Sequence, residues 1–204
     1  MLDGTLPPEG MLNEIRNHHS PLIAADGAAR QLRSLGIAPD VIIGDFDSLG
    51  EERFDPFFET STIIEEPGQE RYDGEKCLEW IVSSGYDRVT VLGAGGGMVD
   101  HVLNNFSFLA KFADRLRIRI REEDAVGYIV CDALRLETTP GDRISLIPLP
   151  EAHLTTTGLH WNLQEEMLKI GASEGGSNRA DRDEVEIRLS QGKLVLLHYY
   201  SAPV

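Results

Sequence analysis

Short apolar runs alternate with helix-like patterns over roughly the first 120 residues of the chain. Residues 22–25 and 41–43 have the length and composition of buried parallel strands, and each run ends at an acidic residue. Residues 27–36 and 73–84 have helical periodicity, with Gly36 and Gly85 as stop signals. This βαβ rhythm predicts an α/β fold, a Rossmann-like parallel sheet covered by helices.

A third strand and helix follow a run of glycines. Residues 88–92 predict a strand, residues 93–97 form the glycine run, and residues 100–112 predict a helix with Leu103 and Leu109 facing inward. A sheet of this type is expected to begin with a strand, whereas Asp3-Gly4 already resembles the turn after one. We therefore expect the first strand to be shortened or absent from this numbering.

The second half of the chain has the two-residue alternation of β-strands. Turn residues at 140–142 and 191–193 separate these runs, and the Gly/Ser-rich residues 173–178 predict a mobile loop. This pattern predicts a C-terminal all-β sandwich, with an α/β domain over 1–122 and the β domain over 123–204. The alternating runs are residues 126–130, 133–137, 143–147, 185–189 and 193–197.

Composition excludes several classes of protein. The 41% hydrophobic content suits a domain with a full core, and the net charge of −15 without a basic stripe argues against nucleic-acid binding. No apolar run approaches the roughly 20 residues of a membrane span. Cys77 and Cys131 lack zinc-ligand or disulfide spacing, so a cytoplasmic location without membrane attachment is expected.

The segment from Ile43 to Ser48 carries the densest chemical information. Asp45 and Asp47 are two residues apart, so a turn can direct both carboxylates toward one Mg²⁺ ion. Gly44 permits close approach of the backbone to a ligand, and Ser48 can donate to a phosphate. The same residue types are common in turns and at helix starts, so this hexapeptide alone leaves both interpretations open.

Five aspartates stand at predicted strand ends or helix starts, where they could gather around a metal-bound phosphate. The order of their motifs along the chain resembles the thiamin pyrophosphokinase family. The resemblance continues in the second half with residues 155–163 and 177–178, and so covers nearly the whole chain. The motifs are Ala-Asp26-Gly-Ala, Gly-Asp45-Phe-Asp47-Ser, Asp73-Gly-Glu-Lys76, the glycine run 93–97, and Asp100-His101.

The resemblance implies an α/β domain joined to a β-sandwich, in a homodimer whose active sites lie between the subunits. It also implies a Mg²⁺-dependent transfer of diphosphate from ATP to the hydroxyl of thiamin, giving thiamin diphosphate and AMP. Such a reaction requires mainly positioning and charge neutralisation from the protein.

Roles are carried over where the motifs match. The resemblance implies that Asp45, Asp47 and Asp73 bind the metal and that Asp100 acts with them in catalysis. On the ATP side it implies Asp26, Gly27, Gly95, Gly96 and His101. The positions of Arg30, Ser48 and Lys76 after the acidic motifs would let them reach phosphate as well. On the thiamin side it implies Gln69, Trp161, Ser177 and Asn178.

Other interpretations of these residues remain open at this stage. Asp100 is also a suitable helix N-cap, and His101 could be an ordinary packed or solvent-facing histidine. Trp161 could be a core residue. Arg30 and Lys76 follow acidic motifs by three or four residues, a spacing that also suits ion pairs on a helix surface.

The chain departs from the family pattern at three positions. Gly68 replaces a frequent acidic residue, Tyr72 a threonine, and Met98 an arginine that would help to neutralise a polyphosphate. These departures leave two other functions open, a non-catalytic protein that binds thiamin or nucleotide and a Mg²⁺-dependent nucleotide pyrophosphohydrolase.

Overall fold

A computed structural model describes residues 1–6, 8, 10–12, 20–68 and 70–200. The chain divides into two compact units, Met1–Phe108 and Leu109–Val204. The first unit combines helices with a parallel sheet, and the second consists mainly of antiparallel strands. This arrangement confirms the α/β-then-β fold class predicted from the sequence.

The first unit contains a three-stranded parallel sheet in the order β1-β2-β3. Ile23 pairs with Val41, and Val41 pairs with Thr62, so the carboxyl ends of all three strands lie at one edge. The strands of the first unit are β1 (Ile23–Ala25), β2 (Val41–Gly44) and β3 (Thr62–Glu65), which form this sheet, and β4 (Arg88–Leu92), which lies outside it. The helices are α1 (Asp26–Ser34), α2 (Asp73–Ser83) and α3 (Val99–Phe112), with 3-10 turns at Gly50–Phe54 and Pro56–Phe58.

The core of this unit explains why its strands end at the acidic motifs. All four residues of β2 are buried, and Ala28, Ala29 and Leu32 on one face of α1 pack into the same cluster. The small alanines let the helix lie close to the sheet. Asp26 follows β1 directly and Asp45 follows β2 directly, so burial of the two strands brings both carboxylates to the same edge.

The first two residues occupy the position of a short strand between β1 and β4. The Ala25 N–H donates to the Met1 carbonyl at 3.0 Å, and the Leu2 N–H donates to the Leu92 carbonyl at 2.8 Å. The expectation of a shortened first strand therefore corresponds to two residues with backbone hydrogen bonds on both sides.

Helix α3 corrects one prediction about the core. Leu103 is 66% exposed, whereas Phe108 and Leu109 are buried, so the predicted inward position of Leu103 is wrong. The apolar residues of this helix do not form one stripe, because Val99 is also exposed on its first turn. Periodicity alone could not identify which apolar positions pack against the unit.

The second unit is built around two long antiparallel strands. The strands are β5 (Arg117–Arg121), β6 (Ala125–Val130), β7 (Ala133–Glu137), β8 (Arg143–Thr157), β9 (Glu166–Lys169), β10 (Gly175–Arg179) and β11 (Glu184–Tyr199). They pair in the order β10-β8-β11-β6-β5, with β7 on β11 and β9 on β8. Inward residues such as Ile144, Leu154 and Ile187 form its core.

Two predictions about this half are wrong. The predicted turn at 191–193 lies within β11, where register shifts against β8 accommodate Gly192; an added Cβ there would lie 2.1 Å from the Glu151 carbonyl oxygen. The predicted mobile loop at 173–178 contains most of β10, in which Asn178 pairs with Ile144 of β8. Glycine within a strand often marks a bulge or a close approach of another backbone, and local sequence does not distinguish these from a turn.

Both cysteines, Cys77 and Cys131, are free thiols. Burial raises the pKa of the Cys77 thiol to about 12, so this group is a poor nucleophile. Among the described residues, no helix has both the length and the apolar character needed to cross a membrane.

Candidate functional site

Three carboxylates meet at the edge of the parallel sheet. Asp26, Asp45 and Asp73 each offer one oxygen atom, and these atoms all lie within 4.8 Å of one another. Asp26 is fully buried, and the other two are partly buried. Three such oxygens form a hard donor set that suits Mg²⁺, which leaves other coordination positions to water and phosphate oxygens.

Asp26 also organises the loop that follows β2. Its Oδ2 accepts the Ser48 N–H at 3.1 Å, and its Oδ1 accepts the Leu49 N–H at 2.8 Å. Burial raises the pKa of the Asp26 carboxyl, these two hydrogen bonds oppose the rise, and repulsion from Asp73 and Asp47 adds to it. Asp26 therefore fixes the path of the chain beyond Asp45 as well as contributing to the cluster.

Lys76 forms a partly buried ion pair with one aspartate of the cluster. Its Nζ donates to Asp73 Oδ1 at 2.7 Å, and only 3% of the lysine side chain is exposed. Burial raises the pKa of Asp73, Lys76 partly offsets that effect, and Asp45 and Asp47 raise it further. The pair is buried enough for its attraction to be stronger than that of a surface ion pair.

Gly44 leaves the space in which the carboxylates meet. A Cβ atom at this position would lie 2.5 Å from Asp26 Cβ and 3.1 Å from Asp73 Cγ. Phe46 then adopts a left-handed conformation with φ of 62° while its side chain is buried. This turn is strained for a large L-residue, and it persists because packing of the ring fixes it.

Asp47 lies outside the cluster of three. Its N–H donates to Asp45 Oδ1 at 3.2 Å, and its own carboxylate accepts the Ser48 hydroxyl at 3.1 Å. The side chain is exposed, but its charge still raises the pKa of Asp26 and Asp73. The structure thus groups Asp26 with Asp45 and Asp73 and leaves Asp47 beside them.

Arg30 and Gly27 link helix α1 to its surroundings. Arg30 donates to the Ser48 carbonyl and forms an ion pair with Glu52 at 3.2 Å. An added Cβ on Gly27 would lie 2.5 Å from Asp3 Oδ2, so this glycine makes room for a further acidic side chain. Sequence reasoning missed Asp3 as a neighbour of the site, although Asp3-Gly4 repeats the Asp26-Gly27 dipeptide.

The glycine run packs against the N-terminal turn. The Thr5 N–H donates to the Gly95 carbonyl at 2.9 Å, and a Cβ on Gly96 would come within 1.6 Å of Thr5 Oγ1. Gly96 has a φ of 75° and is itself exposed. These glycines permit a close backbone packing that larger residues would prevent.

Asp100 and His101 are exposed on the first turn of α3. The helix begins at Val99, so Asp100 lies within the first turn and is not its N-cap residue. Acidic groups at this end of a helix are stabilised by its dipole. Both side chains are accessible to a ligand.

In the second unit, Trp161 is 61% exposed and is not a core residue. Asn178 holds its backbone, because Asn178 Oδ1 accepts the Trp161 N–H at 3.2 Å and Asn178 Nδ2 donates to the Trp161 carbonyl at 2.8 Å. The indole also contacts His160 edge to face, with ring centroids 4.6 Å apart. Asn178 is buried and uses its amide on the backbone.

Ser177 lies next to Asn178 and adopts a left-handed conformation with φ of 58°. Its N–H donates to Ser145 Oγ at 3.0 Å, and the residue is exposed. Gln69, the remaining residue predicted on the thiamin side, lies outside the described residues.

The hydrogen bonds between Asn178 and the Trp161 backbone lead to a testable prediction about stability. Asn178→Ala removes two partly buried hydrogen bonds to the Trp161 backbone, so we expect it to lower the free energy of unfolding by about 1–3 kcal/mol. Gln164→Ala, at an exposed position of the same segment, should change it by less than about 0.5 kcal/mol. Urea denaturation of both variants measures the difference in unfolding free energy. Equal stabilities would show that the Asn178 hydrogen bonds do not stabilise this segment.

Comparisons with known proteins agree across both halves of the chain. The family described as "Thiamin pyrophosphokinase, catalytic domain" matches residues 12–121, and "Thiamin pyrophosphokinase, vitamin B1 binding domain" matches residues 132–194. The rice protein "Thiamine pyrophosphokinase 1" is 31% identical over 164 residues, which is 73% of this chain and 62% of the rice protein. The chain thus spans less than two thirds of that relative.

Solved structures share the fold. The crystal structure of thiamine pyrophosphokinase from Bacillus subtilis superposes with a TM-score of 0.81 at 22% identity, covering 98% of each chain. Thiamin pyrophosphokinase from Candida albicans gives a TM-score of 0.83 at 16% identity, covering 98% of this chain and 88% of that one. At these identities the structures establish a common fold.

Proposed function

Because the chain belongs to the thiamin pyrophosphokinase family, we propose that it transfers the diphosphate group of ATP to thiamin. The hydroxyl oxygen of thiamin forms a bond to the β-phosphorus, and the bond between that phosphorus and the AMP oxygen breaks. The products are thiamin diphosphate and AMP, and the hydroxyl proton is lost to a base or to water. The acidic cluster of Asp26, Asp45 and Asp73 is the observation that carries the proposal.

The cluster fits Mg²⁺ by its chemistry, since its three donors are carboxylate oxygens within 4.8 Å of one another. Asp45 and Asp73 would hold the ion directly, with Asp47 and Asp26 as further carboxylate donors of the same site. When bound, the ion would neutralise charge on the phosphate oxygens.

The basic residues nearby have roles that their contacts support. Lys76 can donate one of its remaining ammonium hydrogens to a phosphate oxygen while Asp73 holds it in place. Arg30, already bound to the carbonyl of Ser48, braces the loop and offers charge toward the nucleotide. Ser48 keeps its hydroxyl near Asp47, at the mouth of the site.

The first turn of α3 supplies the remaining groups for the transfer. We assign Asp100 to orient the thiamin hydroxyl and accept its proton, and His101 to contact ATP phosphates. We assign backbone N–H groups of Gly27, Gly95 and Gly96 to contacts with the phosphates, while the side-chain positions of Gly27 and Gly96 face Asp3 and Thr5.

On the thiamin side, the exposed indole of Trp161 stacks on a ring of the substrate, with Ser177 and Gln69 as hydrogen-bonding partners. Asn178 acts through the backbone of Trp161, because its amide groups are already used there. Its role is therefore to position the tryptophan.

The two halves of the chain have separate roles in the proposed reaction. We assign catalysis to residues 1–122 and thiamin binding to residues 123–204, a division supported by family matches that end at residue 121 and resume at residue 132. The protein acts in the cytoplasm as a homodimer with active sites between the subunits. Two free cysteines are compatible with that compartment.

The test is to incubate the purified protein with thiamin, ATP and Mg²⁺ and to quantify thiamin diphosphate and AMP. Equal amounts of both products, dependent on all three components, would support the kinase. AMP formed without thiamin would indicate a pyrophosphohydrolase. Binding of thiamin or ATP without any product would indicate a non-catalytic protein.

The raised pKa values of Asp26 and Asp73 predict how the metal-free protein responds to pH. Each carboxyl retains its proton to a higher pH in the folded chain than in the unfolded chain, so stability falls as pH rises above the ordinary aspartate range. We expect the Tm in EDTA to fall as pH rises over this interval, and to fall less steeply in the double variant Asp26→Asn with Asp73→Asn. Identical slopes of Tm against pH for the double variant and the unsubstituted protein would contradict this prediction.

Excess Mg²⁺ at pH 8 should raise the Tm of the unsubstituted protein, because an ion that binds the folded chain stabilises it.

A further inference from the structure

Tyr72 is a large aromatic residue exposed beside the acidic cluster. It immediately precedes Asp73, and its carbonyl accepts the Glu75 N–H at 2.9 Å and the Lys76 N–H at 3.1 Å. Its backbone therefore caps helix α2, while 52% of the residue remains exposed. These backbone hydrogen bonds fix the position of the Tyr72 Cα atom next to Asp73, a residue of the proposed metal site.

Two contacts fix the orientation of the ring. Asn104 Nδ2 donates to the Tyr72 phenol oxygen at 2.7 Å. The ring also stacks on that of the buried Phe108, with centroids 6.3 Å apart and planes inclined by 29°. An exposed aromatic ring fixed in this way has lost much of its rotational freedom before any ligand arrives, which lowers the entropy cost of binding.

The partner on α3 indicates which substrate the ring meets. Asn104 follows Asp100 by four residues, so the two side chains share one face of the helix. Tyr72 is thus attached on one side to Asp73, in the metal cluster, and on the other to the helix face that carries Asp100. Asp100 is the residue assigned above to the acceptor hydroxyl, so the ring lies on the acceptor side of the site.

We infer that Tyr72 positions the acceptor by stacking on its positively charged aromatic ring. This inference rests on the proposed function, which supplies thiamin as a flat cationic alcohol. The face of a phenol ring carries negative electrostatic potential and attracts a cation, and the neighbouring carboxylates favour the same charge. Adenine is neutral, so the charge of the neighbouring carboxylates does not favour its binding at this ring.

The test compares steady-state constants for Tyr72→Ala, Tyr72→Phe and the matched control Tyr86→Ala. Tyr86 is another exposed tyrosine of the same unit, 44% exposed. We expect Tyr72→Ala to raise the KM for thiamin roughly fivefold to thirtyfold, with kcat and the KM for ATP within about twofold. Tyr72→Phe keeps the ring and should stay within about threefold, and Tyr86→Ala should have no effect.

Equilibrium dialysis of radiolabelled thiamin separates this inference from the proposed function. If the unsubstituted protein binds thiamin but makes no thiamin diphosphate, the proposed function fails, and weaker binding in Tyr72→Ala still supports the stacking role. A higher KM for ATP in Tyr72→Ala with an unchanged KM for thiamin would overturn the inference. Equal losses in Tyr72→Ala and Tyr72→Phe would also overturn it, because the Asn104 bond and not the ring would then matter.

Discussion

Asp45→Asn should lower the rate of thiamin diphosphate formation by roughly 10²–10³-fold, the loss expected when one main electrostatic contact to the transition state is removed. The substitution keeps the size of the side chain but removes its charge from the cluster with Asp26 and Asp73. Asp45 has no role in the core, so the fold should be retained. Initial rates at saturating thiamin and ATP, measured across a Mg²⁺ titration, give the size of the loss and any increase in the Mg²⁺ requirement.

Two companion variants make this result specific. Asp47→Asn should lower the rate roughly 10–100-fold. The loss is smaller because Asp47 lies beside the cluster of three and its carboxylate accepts the Ser48 hydroxyl. Asp87 is exposed and forms an ion pair with the neighbouring Arg88, so Asp87→Asn should leave the rate unchanged. If Asp45→Asn retained full activity at low Mg²⁺, the proposed metal site would be wrong.

Gly44→Ala should inactivate the protein and also destabilise it. The added methyl group would lie 2.5 Å from Asp26 Cβ and 3.1 Å from Asp73 Cγ, so these two residues of the cluster must move. Overpacking of this kind costs about 1–3 kcal/mol of unfolding free energy. A displacement of about 1 Å at the reacting groups can lower the rate roughly 10²-fold.

Gly10→Ala is the matched control, because an added Cβ there meets no atom of the described residues within 4 Å. It should change the unfolding free energy by less than about 0.5 kcal/mol and leave activity intact. Urea denaturation and the product assay are applied to both variants. Normal activity in Gly44→Ala would show that the cluster tolerates displacement, and the geometric argument would then fail.

Local patterns were sufficient for the elements that end at the acidic motifs. The predicted strand over 41–43 and helix over 73–84 correspond to Val41–Gly44 and Asp73–Ser83. A short, fully apolar run and a helix that ends at glycine are each defined by a few adjacent residues. They can therefore be predicted without knowing which segments pack against them. The errors arose where burial depends on distant packing, as at Leu103 and at the bulge around Gly192.

The sequence by itself determined the fold class, the family resemblance and the residue types of the site, because strand ends, glycines and aspartates are ordered along the chain. Only the tertiary structure decided that Asp26 joins Asp45 and Asp73, that Asn178 holds Trp161, and that Asn104 fixes Tyr72. The two hydrogen-bonded pairs join residues 17 and 32 positions apart, and the three aspartates come from separate segments of the chain. Their geometry depends on how strands and helices pack, and no local pattern of residues encodes it.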